Sequence, residues 1–382
     1  MKIESLRVIN IMEVKQPLFP YVKPTDYYID FIGDESPTDA AMINKIYTLE
    51  MKSGDIISYY NTTEIVADFI KAIESKIIGL DLEDISMAWD YMYRYTLPVG
   101  RGGIAMHAIS AINLLMYDIY AKSLGIPVYR LIGGKTRKKI VAYASHLHPT
   151  DVKNLQDEAI SYVNEGYKTM KMRFLYGPSK IDGVEKNIEL VKIIRDAVGY
   201  NVSLACDSWM SWNYNFALKM AQSLEKYEIA WMEEPFLPDD FESMKLLSKK
   251  TDIPISEGEH HYYIYDVKHL LDAGIRIIQC DTVWAGGITA MKKIAALAEA
   301  YGAVVIPHTG NVYNLHFIAS EPESITPMAE FLTKYREWME QNISGIPFPK
   351  NGYFELNEKA GFGIEYLPKN QVKYGKSKEN KS

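Results

Sequence analysis

From about Ile140 onward the sequence alternates between two kinds of segment, and this alternation constrains the fold more than any other feature. Short runs rich in β-branched residues are separated, in most cases, by amphipathic stretches of helical length, such as Val184–Val198, Phe216–Tyr227, Phe241–Lys249 and Ala290–Tyr301. Strands that alternate with helices form βαβ units and a parallel sheet. The predicted strands are Ile140–Ala144, Thr169–Arg173, Val202–Cys206, Ile229–Met232, Ile253–Ser256, Arg276–Cys280, Ala303–Ile306 and Thr326–Phe331.

Eight such strands fit a (β/α)8-type barrel, an α/β fold, better than an open doubly wound sheet. No Gly-x-Gly-x-x-Gly sequence follows the first predicted strand, which also argues against a dinucleotide-binding fold. We therefore predict that the barrel occupies residues 126–345.

The first 125 residues have a different, α+β pattern. Ile46–Met51 alternates like a strand, and Ser53-Gly54-Asp55 turns the chain into Ile56–Tyr60, which predicts a β-hairpin. Helical periodicity follows at Thr63–Ile78, and an almost wholly apolar helix at Met106–Leu124 is predicted to be buried. The sequence thus predicts a separate α+β domain over residues 1–125.

The C-terminal segment, residues 346–382, is predicted to be extended at Tyr353–Leu356 and to end in a flexible, Lys-rich tail. Its last residues, Lys369–Ser382, carry five lysines and few apolar groups.

Composition excludes several classes of protein. The chain is 47% hydrophobic with a net charge of −7, so it has a globular core and lacks the basic excess of a nucleic-acid binder. Two cysteines, Cys206 and Cys280, cannot build a disulfide framework. The longest charge-free run, Ala300–Ser320, contains Pro307, Gly310 and two histidines, so it is no membrane helix. With no signal peptide visible at the N-terminus, we expect a soluble cytoplasmic protein.

Three carboxylates follow successive predicted strands, where a barrel places its chemistry. Asp207, Glu233 and Glu259 are each 26 residues apart, the length of one βα unit. They are therefore expected side by side on neighbouring strands, where three anions repel one another unless a cation lies between them. Because the set contains only oxygen ligands, a hard cation such as Mg²⁺ fits it best.

The next strand ends predict an acid/base pair. Asp281 follows one strand and His308, 27 residues on, follows the next, so the carboxylate can accept a hydrogen bond from the imidazole and raise its pKa. Glu330 comes 22 residues later and is predicted to face the same cavity as an acid or as an orienting group.

Each of these residues also has a purely structural interpretation. A single Asp or Glu after a strand is more often a helix N-cap, but six acidic or basic residues at successive strand ends favour catalysis. Of His260 and His261, one is a candidate for substrate contact and the other for packing. Gly286-Gly287 is consistent with a phosphate cradle, although a helix start after a strand needs small residues anyway.

This order of residues resembles the enolase superfamily, mandelate racemase subgroup. Leu124–Gly134 looks like the family's entry into the barrel, and Gly361–Glu365 like its C-terminal return to a capping domain built with the N-terminal segment. Finer matches are similar to acid-sugar dehydratases of the L-rhamnonate dehydratase branch: they lie at Asp207–Ser211, Glu257–His261, Trp284–Thr289 and Pro307-His308. The resemblance covers nearly the whole chain.

The resemblance implies roles for the site residues. Asp207, Glu233 and Glu259 would hold Mg²⁺, His308 with Asp281 would be the acid/base dyad, and Glu330 would assist the enolate or the leaving group. Substrate-binding roles fall to Lys171, Arg173 and His260. The chain is expected to work on a small acid sugar, with no nucleic acid or membrane partner, as a homo-oligomer.

One position departs from the subgroup. Its Lys-x-Lys on the second barrel strand is Lys171-Met172-Arg173 here, and a guanidinium cannot act as a proton-abstracting base. Arg173 is instead expected to bind a substrate carboxylate or hydroxyl, or to be structural. A racemase needs a second base, so the resemblance favours dehydration of an aldonate to a 2-keto-3-deoxy acid. A racemase or cycloisomerase of the same superfamily is the alternative.

The sequence leaves the acid sugar open. L-rhamnonate is the favoured substrate, and D-arabinonate, L-fuconate and other aldonates are the alternatives. Loops near Pro17–Glu35 and Ser53–Asn61 are expected to contribute to the choice among them.

Overall fold

The described residues of the N-terminal region form an antiparallel three-stranded sheet and four helices. The computed structural model describes residues 1–13, 21–32, 45–148, 152–335 and 342–367. Strands β1, β2 and β3 pair in that order. The elements are β1 (Ser5–Glu13), α1 (Ile29–Ile32), β2 (Lys45–Ser53), β3 (Ile56–Thr62), α2 (Glu64–Ile73), α3 (Ile85–Thr96) and α4 (Gly103–Ser123), with short 3-10 turns at Pro24–Tyr28 and Glu74–Lys76.

The predicted hairpin is the β2–β3 pair, with Ser53 opposite Ile56. Gly54 makes the turn possible because its φ of 57° lies in the left-handed region that tight hairpins need. Under the sheet lies α4, which packs against β3, α2 and α3. By length and composition α4 is the one described helix that could cross a membrane, but 78% of its apolar window is buried inside the protein. It is therefore the core helix that its sequence predicts.

The barrel consists of parallel strands in the order β10-β9-β8-β7-β6-β5-β4-β11. A backbone hydrogen bond of 2.7 Å from Val305 N to Ile325 O links β10 to the segment that precedes β11, at the two edges of this sheet. The eight strands are β4 (Ile140–Leu147), β5 (Thr169–Arg173), β6 (Ser203–Asp207), β7 (Ile229–Glu233), β8 (Ile255–Glu257), β9 (Ile277–Ile278), β10 (Val304–Val305) and β11 (Met328–Leu332). The predicted barrel is therefore confirmed, with one strand at each predicted position.

One helix lies between each pair of consecutive barrel strands, and a short helix, α5 (Val128–Leu131), precedes the first strand. The connecting helices are α6 (Val152–Asn164), α7 (Gly183–Val198), α8 (Tyr214–Leu224), α9 (Phe241–Leu247), α10 (Tyr263–Asp272), α11 (Gly287–Ala300) and α12 (Val312–Ser320), with 3-10 turns at Glu225–Tyr227 and Thr333–Tyr335. This βα order is the alternation read from the sequence.

Apolar side chains fill the barrel interior, and the polar residues of the site lie above them at the carboxyl ends of the strands. Ala205, Trp231 and Ile306 belong to this interior cluster, together with Tyr143. Side chains two residues apart on a strand point to the same face. The next inward positions on these three strands are therefore Asp207, Glu233 and His308, at the carboxyl end of the barrel.

The C-terminal segment returns to the N-terminal region, as the resemblance implies. Strand β12 (Ile343–Ser344) pairs with β14 (Glu365–Tyr366), and Phe362 and Ile364 lie in the apolar core of α2–α4. This N-terminal and C-terminal assembly is called the cap below. Strand β13 (Tyr353–Phe354) pairs instead with Ile140 and Val141 at the start of β4. The predicted Lys-rich tail lies outside the described residues.

A polar seam joins the cap to the barrel at Gly286-Gly287. Trp89 Nε1 donates to Gly286 O at 2.6 Å, and Gly286 N donates to Ser110 Oγ at 2.9 Å. Asn113 Nδ2 donates to Thr289 Oγ1 at 2.9 Å. Both glycines have positive φ, and cap side chains occupy the space of a Cβ. The structural interpretation of this pair is thus favoured over the phosphate cradle.

Replacing Gly287 with alanine tests the seam. A Cβ at Gly287, whose φ is 73°, would lie 2.3 Å from Asn113 Oδ1, whereas Gly302, with φ of 65°, has no atom within 4 Å of a Cβ. We expect Gly302→Ala to lower the free energy of unfolding by about 1–2 kcal/mol through backbone strain alone. Gly287→Ala should cost roughly 1–3 kcal/mol more because the hydrogen bonds of Asn113 break. Urea unfolding followed by circular dichroism measures both, and equal losses would contradict the seam.

Candidate active site

A cavity of about 350 Å³ lies between the cap and the carboxyl ends of the barrel strands. This is the end of a barrel at which enzymes of this architecture carry their chemistry. Its barrel side is lined by charged and aromatic residues that include Arg173, Trp209, Glu259, Asp281, Trp284 and His308. Its cap side is mainly apolar and includes Ile46, Tyr60, Val66, Ile343, Ile346 and Ile364.

The three predicted metal-binding carboxylates lie at neighbouring strand ends. Asp207 and Glu233 are register partners on β6 and β7, and Glu259 follows the end of β8 by two residues. Asp207 Oδ1 accepts a hydrogen bond from Trp209 N at 2.9 Å. Glu259 Oε2 is buried and has no hydrogen-bond partner among the described residues. A buried carboxylate oxygen without a donor is where a cation would bind.

Glu233 differs from the other two because donors engage both of its oxygens. Lys171 Nζ contacts Oε1, while Trp231 Nε1 and Gln279 Nε2 donate to Oε2 at 3.0 and 2.7 Å. Burial raises the pKa of Glu233, and Lys171 works against that rise. The fixed carboxylate keeps its position at the mouth of the barrel.

Lys171 is 1% exposed and lies beneath the cavity, outside its lining. Besides Glu233, its Nζ lies 2.9 Å from Glu330 Oε1 and 3.7 Å from Asp207 Oδ2. Burial alone would lower the pKa of Lys171, but Glu233 and Glu330 outweigh it and hold this pKa well above its usual range. Lys171 is therefore a permanent buried cation that binds carboxylates of the protein.

Arg173, the departure from the subgroup pattern, borders the cavity. Its Nε lies 3.0 Å from Asp207 Oδ2, and its guanidinium lies over the rings of Tyr21 and Trp209, at 4.8 and 5.6 Å from their centroids. Burial alone would lower the pKa of Arg173, but Asp207 and Glu259 raise it above its usual value. The side chain therefore stays protonated and can bind an anion at the cavity wall.

His308 and Asp281 meet as predicted. His308 Nδ1 lies 3.5 Å from Asp281 Oδ2, and His308 Nε2 lies 3.2 Å from Glu259 Oε1. The amides of Val283 and Trp284 donate to Asp281 Oδ1 at 2.5 and 3.1 Å, so the carboxylate is fixed from behind. Burial alone would lower the pKa of His308, but Glu259 and Asp281 raise it to about 10.

Glu330 is buried on β11 and does not line the cavity. Thr309 N donates to its Oε2 at 2.6 Å, and Lys171 contacts its Oε1. Burial alone would raise the pKa of Glu330, but Lys171 and His308 lower it. An ionised carboxylate has no proton to donate, so the geometry favours the orienting role over the acid role.

His260 pairs with a residue that the sequence analysis did not single out. Its Nδ1 lies 2.7 Å from Glu234 Oε1, and Glu234, Glu259 and His260 bring ligand atoms within 4.8 Å of one another. Burial alone would lower the pKa of His260, but Glu234 raises it to about 9. His261 Nε2 bonds to Pro238 O at 2.9 Å, which identifies it as the packing member of the pair.

The sequence analysis did not single out three further residues that line the cavity: Trp209, His146 and His107. Trp209 lies in the stretch after Asp207 that carries the resemblance. His146 lies near the end of β4, so the strand-end rule would have found it had the strand been predicted to its full length. His107 comes from α4 of the cap, where no strand end marks it.

The comparisons with known proteins agree with this architecture. Residues 154–370 match the family described as enolase C-terminal domain-like, and residues 53–133 match the mandelate racemase / muconate lactonizing enzyme N-terminal domain. A Caldivirga maquilingensis protein provisionally named L-rhamnonate dehydratase is 37% identical over 298 residues, 76% of this chain and 72% of that one.

Two further matches extend this picture. L-rhamnonate dehydratase from Saccharopolyspora erythraea is 33% identical over 305 residues, covering 77% of this chain and 75% of that one. The structure of rhamnonate dehydratase from Gibberella zeae complexed with Mg has a TM-score of 0.85 and 26% identity, over 97% of this chain and 96% of that one. This chain belongs to the mandelate racemase / muconate lactonizing enzyme family of the enolase superfamily.

Proposed function

We propose that this protein is a Mg²⁺-dependent acid-sugar dehydratase, which removes the C2 proton and the C3 hydroxyl of an aldonate to form a 2-keto-3-deoxy acid. The observation that carries the proposal is a His308–Asp281 dyad at a cavity that Arg173 borders, because a guanidinium that holds its proton cannot act as a second base. The similarity to L-rhamnonate dehydratases supports the same reaction.

Asp207, Glu233 and Glu259 are the residues that would hold the metal ion. All three offer carboxylate oxygens, the ligands that Mg²⁺ prefers, and Glu259 Oε2 lacks any other described partner. When bound, Mg²⁺ supplies positive charge that stabilises the negative charge built up on the substrate carboxylate as the C2 proton leaves.

His308 is the acid and the base of the proposed reaction. In its neutral form, Nε2 removes the C2 proton, the electron pair forms a C2–C3 double bond, and the C3–O bond breaks. His308 then returns the proton to the departing hydroxyl, which leaves as water. The enol tautomerises to the 2-keto-3-deoxy acid. Asp281 keeps the imidazole oriented, and Arg173 at the cavity wall binds the substrate carboxylate.

The cap side of the cavity favours an acid sugar with an apolar terminus. Ile46, Val66, Ile343, Ile346 and Ile364 line this side. A terminal methyl group is stabilised by burial against these apolar side chains, whereas a terminal hydroxymethyl group gains less there. Among the candidates, L-rhamnonate and L-fuconate end in a methyl group, and D-arabinonate does not. We therefore propose L-rhamnonate-type substrates.

Racemisation is the second candidate, and one residue favours it. His146 borders the cavity, and burial holds its pKa well below its usual value, so it is a neutral imidazole at neutral pH. A racemase would use it as a second base, in place of the lysine that Arg173 replaces. This reaction would exchange the C2 proton for solvent deuterium and form the epimer without loss of water.

A panel of aldonates tests the reaction and the substrate class. We expect methyl-terminated acids to react with kcat/KM roughly 10-fold or more above that of hydroxymethyl-terminated acids, because the apolar wall discriminates between them. The 2-keto-3-deoxy product is measured as its semicarbazone, and the recovered acid is examined by NMR after reaction in D2O. Epimer with C2 deuterium and no keto acid would establish the racemase instead.

Removing the base should abolish turnover while leaving the site intact. We expect His308→Asn to lower kcat by about 10²- to 10⁴-fold, because an asparagine side chain cannot take up the C2 proton. His269→Asn, an exposed histidine on α10, is the matched control and should keep the wild-type rate. Product formation by both variants measures the effect, and an unchanged kcat in His308→Asn would contradict the assignment.

Two adjacent glutamates allow the metal site to be tested with a matched pair. We expect Glu233→Gln to weaken Mg²⁺ binding by at least roughly 10-fold, since a neutral amide is a poorer ligand than a carboxylate. Glu234→Gln, which removes the partner of His260, should retain Mg²⁺ binding. Isothermal titration with MgCl2 measures both, and the reverse order would assign the metal to the Glu234, Glu259 and His260 group.

A further inference from the structure

His107 is a polar residue on the cap side of the cavity, where Asn61, Thr62 and Thr63 also lie. It lies about one turn into α4 and borders the cavity. Its Nε2 is buried and has no hydrogen-bond partner among the described residues. A buried polar atom without a partner lowers stability by about 1–3 kcal/mol unless water or a ligand bonds to it. A molecule in the cavity is in a position to supply that bond.

Aromatic neighbours fix the orientation of the His107 ring. It stacks on Trp284 with a centroid distance of 5.1 Å and an interplanar angle of 15°, and Tyr262 lies 5.9 Å away. The same Trp284 ring lies 5.4 Å from the ring of His308. His107 and the proposed base therefore contact the same indole, so that one ring separates His107 from His308.

The imidazole of His107 is suited to a neutral ligand group. Burial and, to a smaller extent, the nearby His260 lower the pKa of His107 to about 4. A neutral imidazole offers one donor and one acceptor, which matches a hydroxyl group. It gives little attraction to a carboxylate, for which Arg173 already provides a cation on the barrel side.

We propose that His107 hydrogen-bonds a hydroxyl group on a carbon beyond C3 of the acid sugar and is a specificity-determining residue of the site. This inference rests on the proposed function. C2 and C3 of the substrate must lie at His308, where the proton and the hydroxyl are removed. A ring that reaches the cavity from the cap, next to Trp284, then meets the sugar chain further along, at C4 or C5.

The test is discrimination between an acid sugar and its deoxy analogues. Dissociation constants are measured by isothermal titration, with Mg²⁺ present, for L-rhamnonate and for analogues that lack the C4 or the C5 hydroxyl. The His308→Asn background prevents turnover. We expect this protein to bind one analogue about 10- to 100-fold more weakly, because a site built to bond a hydroxyl rejects the molecule that lacks it.

His107→Phe is then added to that background. Phenylalanine keeps a ring that can stack on Trp284 and removes both nitrogens, so the preference for the hydroxylated acid should fall to within about 2-fold. His107→Gln, which retains a neutral donor and acceptor, should preserve much of it. His269→Phe, the same change on the exposed face of α10, is the control and should discriminate like the parent.

The outcomes separate this inference from the proposed function. Unchanged discrimination in His107→Phe overturns the role of His107, even if the wild-type protein dehydrates L-rhamnonate. If His107→Phe binds both acids without discrimination but the wild-type protein turns over neither, the dehydratase proposal is overturned and the role of His107 stands. Binding of no aldonate overturns both. If circular dichroism shows that His107→Phe is unfolded, His107→Leu is used for the same measurement.

Discussion

The buried ammonium of Lys171 is the charge on which the arrangement of the site depends. It contacts Glu233, Glu330 and Asp207, which come from three strands of the barrel. Carboxylates this close in a low-dielectric interior would repel one another and take up protons. One cation among them weakens this repulsion and ties β5 to β6, β7 and β11 at the level where the cavity begins. Removing one partner of a buried ion pair typically destabilises a protein by about 3–5 kcal/mol.

The cap completes the site, and its position depends on close packing against one glycine pair. Because Gly286 and Gly287 have no side chains, Asn113 and Trp89 reach the backbone of the barrel and bond to residues at the start of α11. The same helix α4 that carries Asn113 carries His107, and the loop before α11 carries Trp284. The seam therefore fixes the distance between the apolar cap wall and the proposed base, and with it the depth of the cavity.

Much of the barrel could be predicted from the sequence because it follows from local pattern. The alternation of strand and helix locates each strand, and the two-residue side-chain period then brings Asp207, Glu233 and His308 to one end. Residues that depend on tertiary packing could not be predicted. His107 reaches the cavity only because α4 docks on α11, and the burial of Lys171 follows from three strands that close around it. His146 was missed for a local reason: β4 extends to Leu147, three residues beyond its predicted end.

The charge at the mouth of the barrel explains why a divalent cation suits this site. Six carboxyl groups at this level are buried: Asp207, Glu233, Glu234, Glu259, Asp281 and Glu330. The cations that face them are Lys171, Arg173, His260 and His308. Six carboxyl groups thus face four basic side chains in a region that is almost wholly buried, and buried carboxylates are costly unless a positive charge compensates them. One Mg²⁺ would supply that compensation. The replacement of a subgroup lysine by arginine therefore removes one candidate base and, in the proposed reaction, retains a cation for the substrate carboxylate.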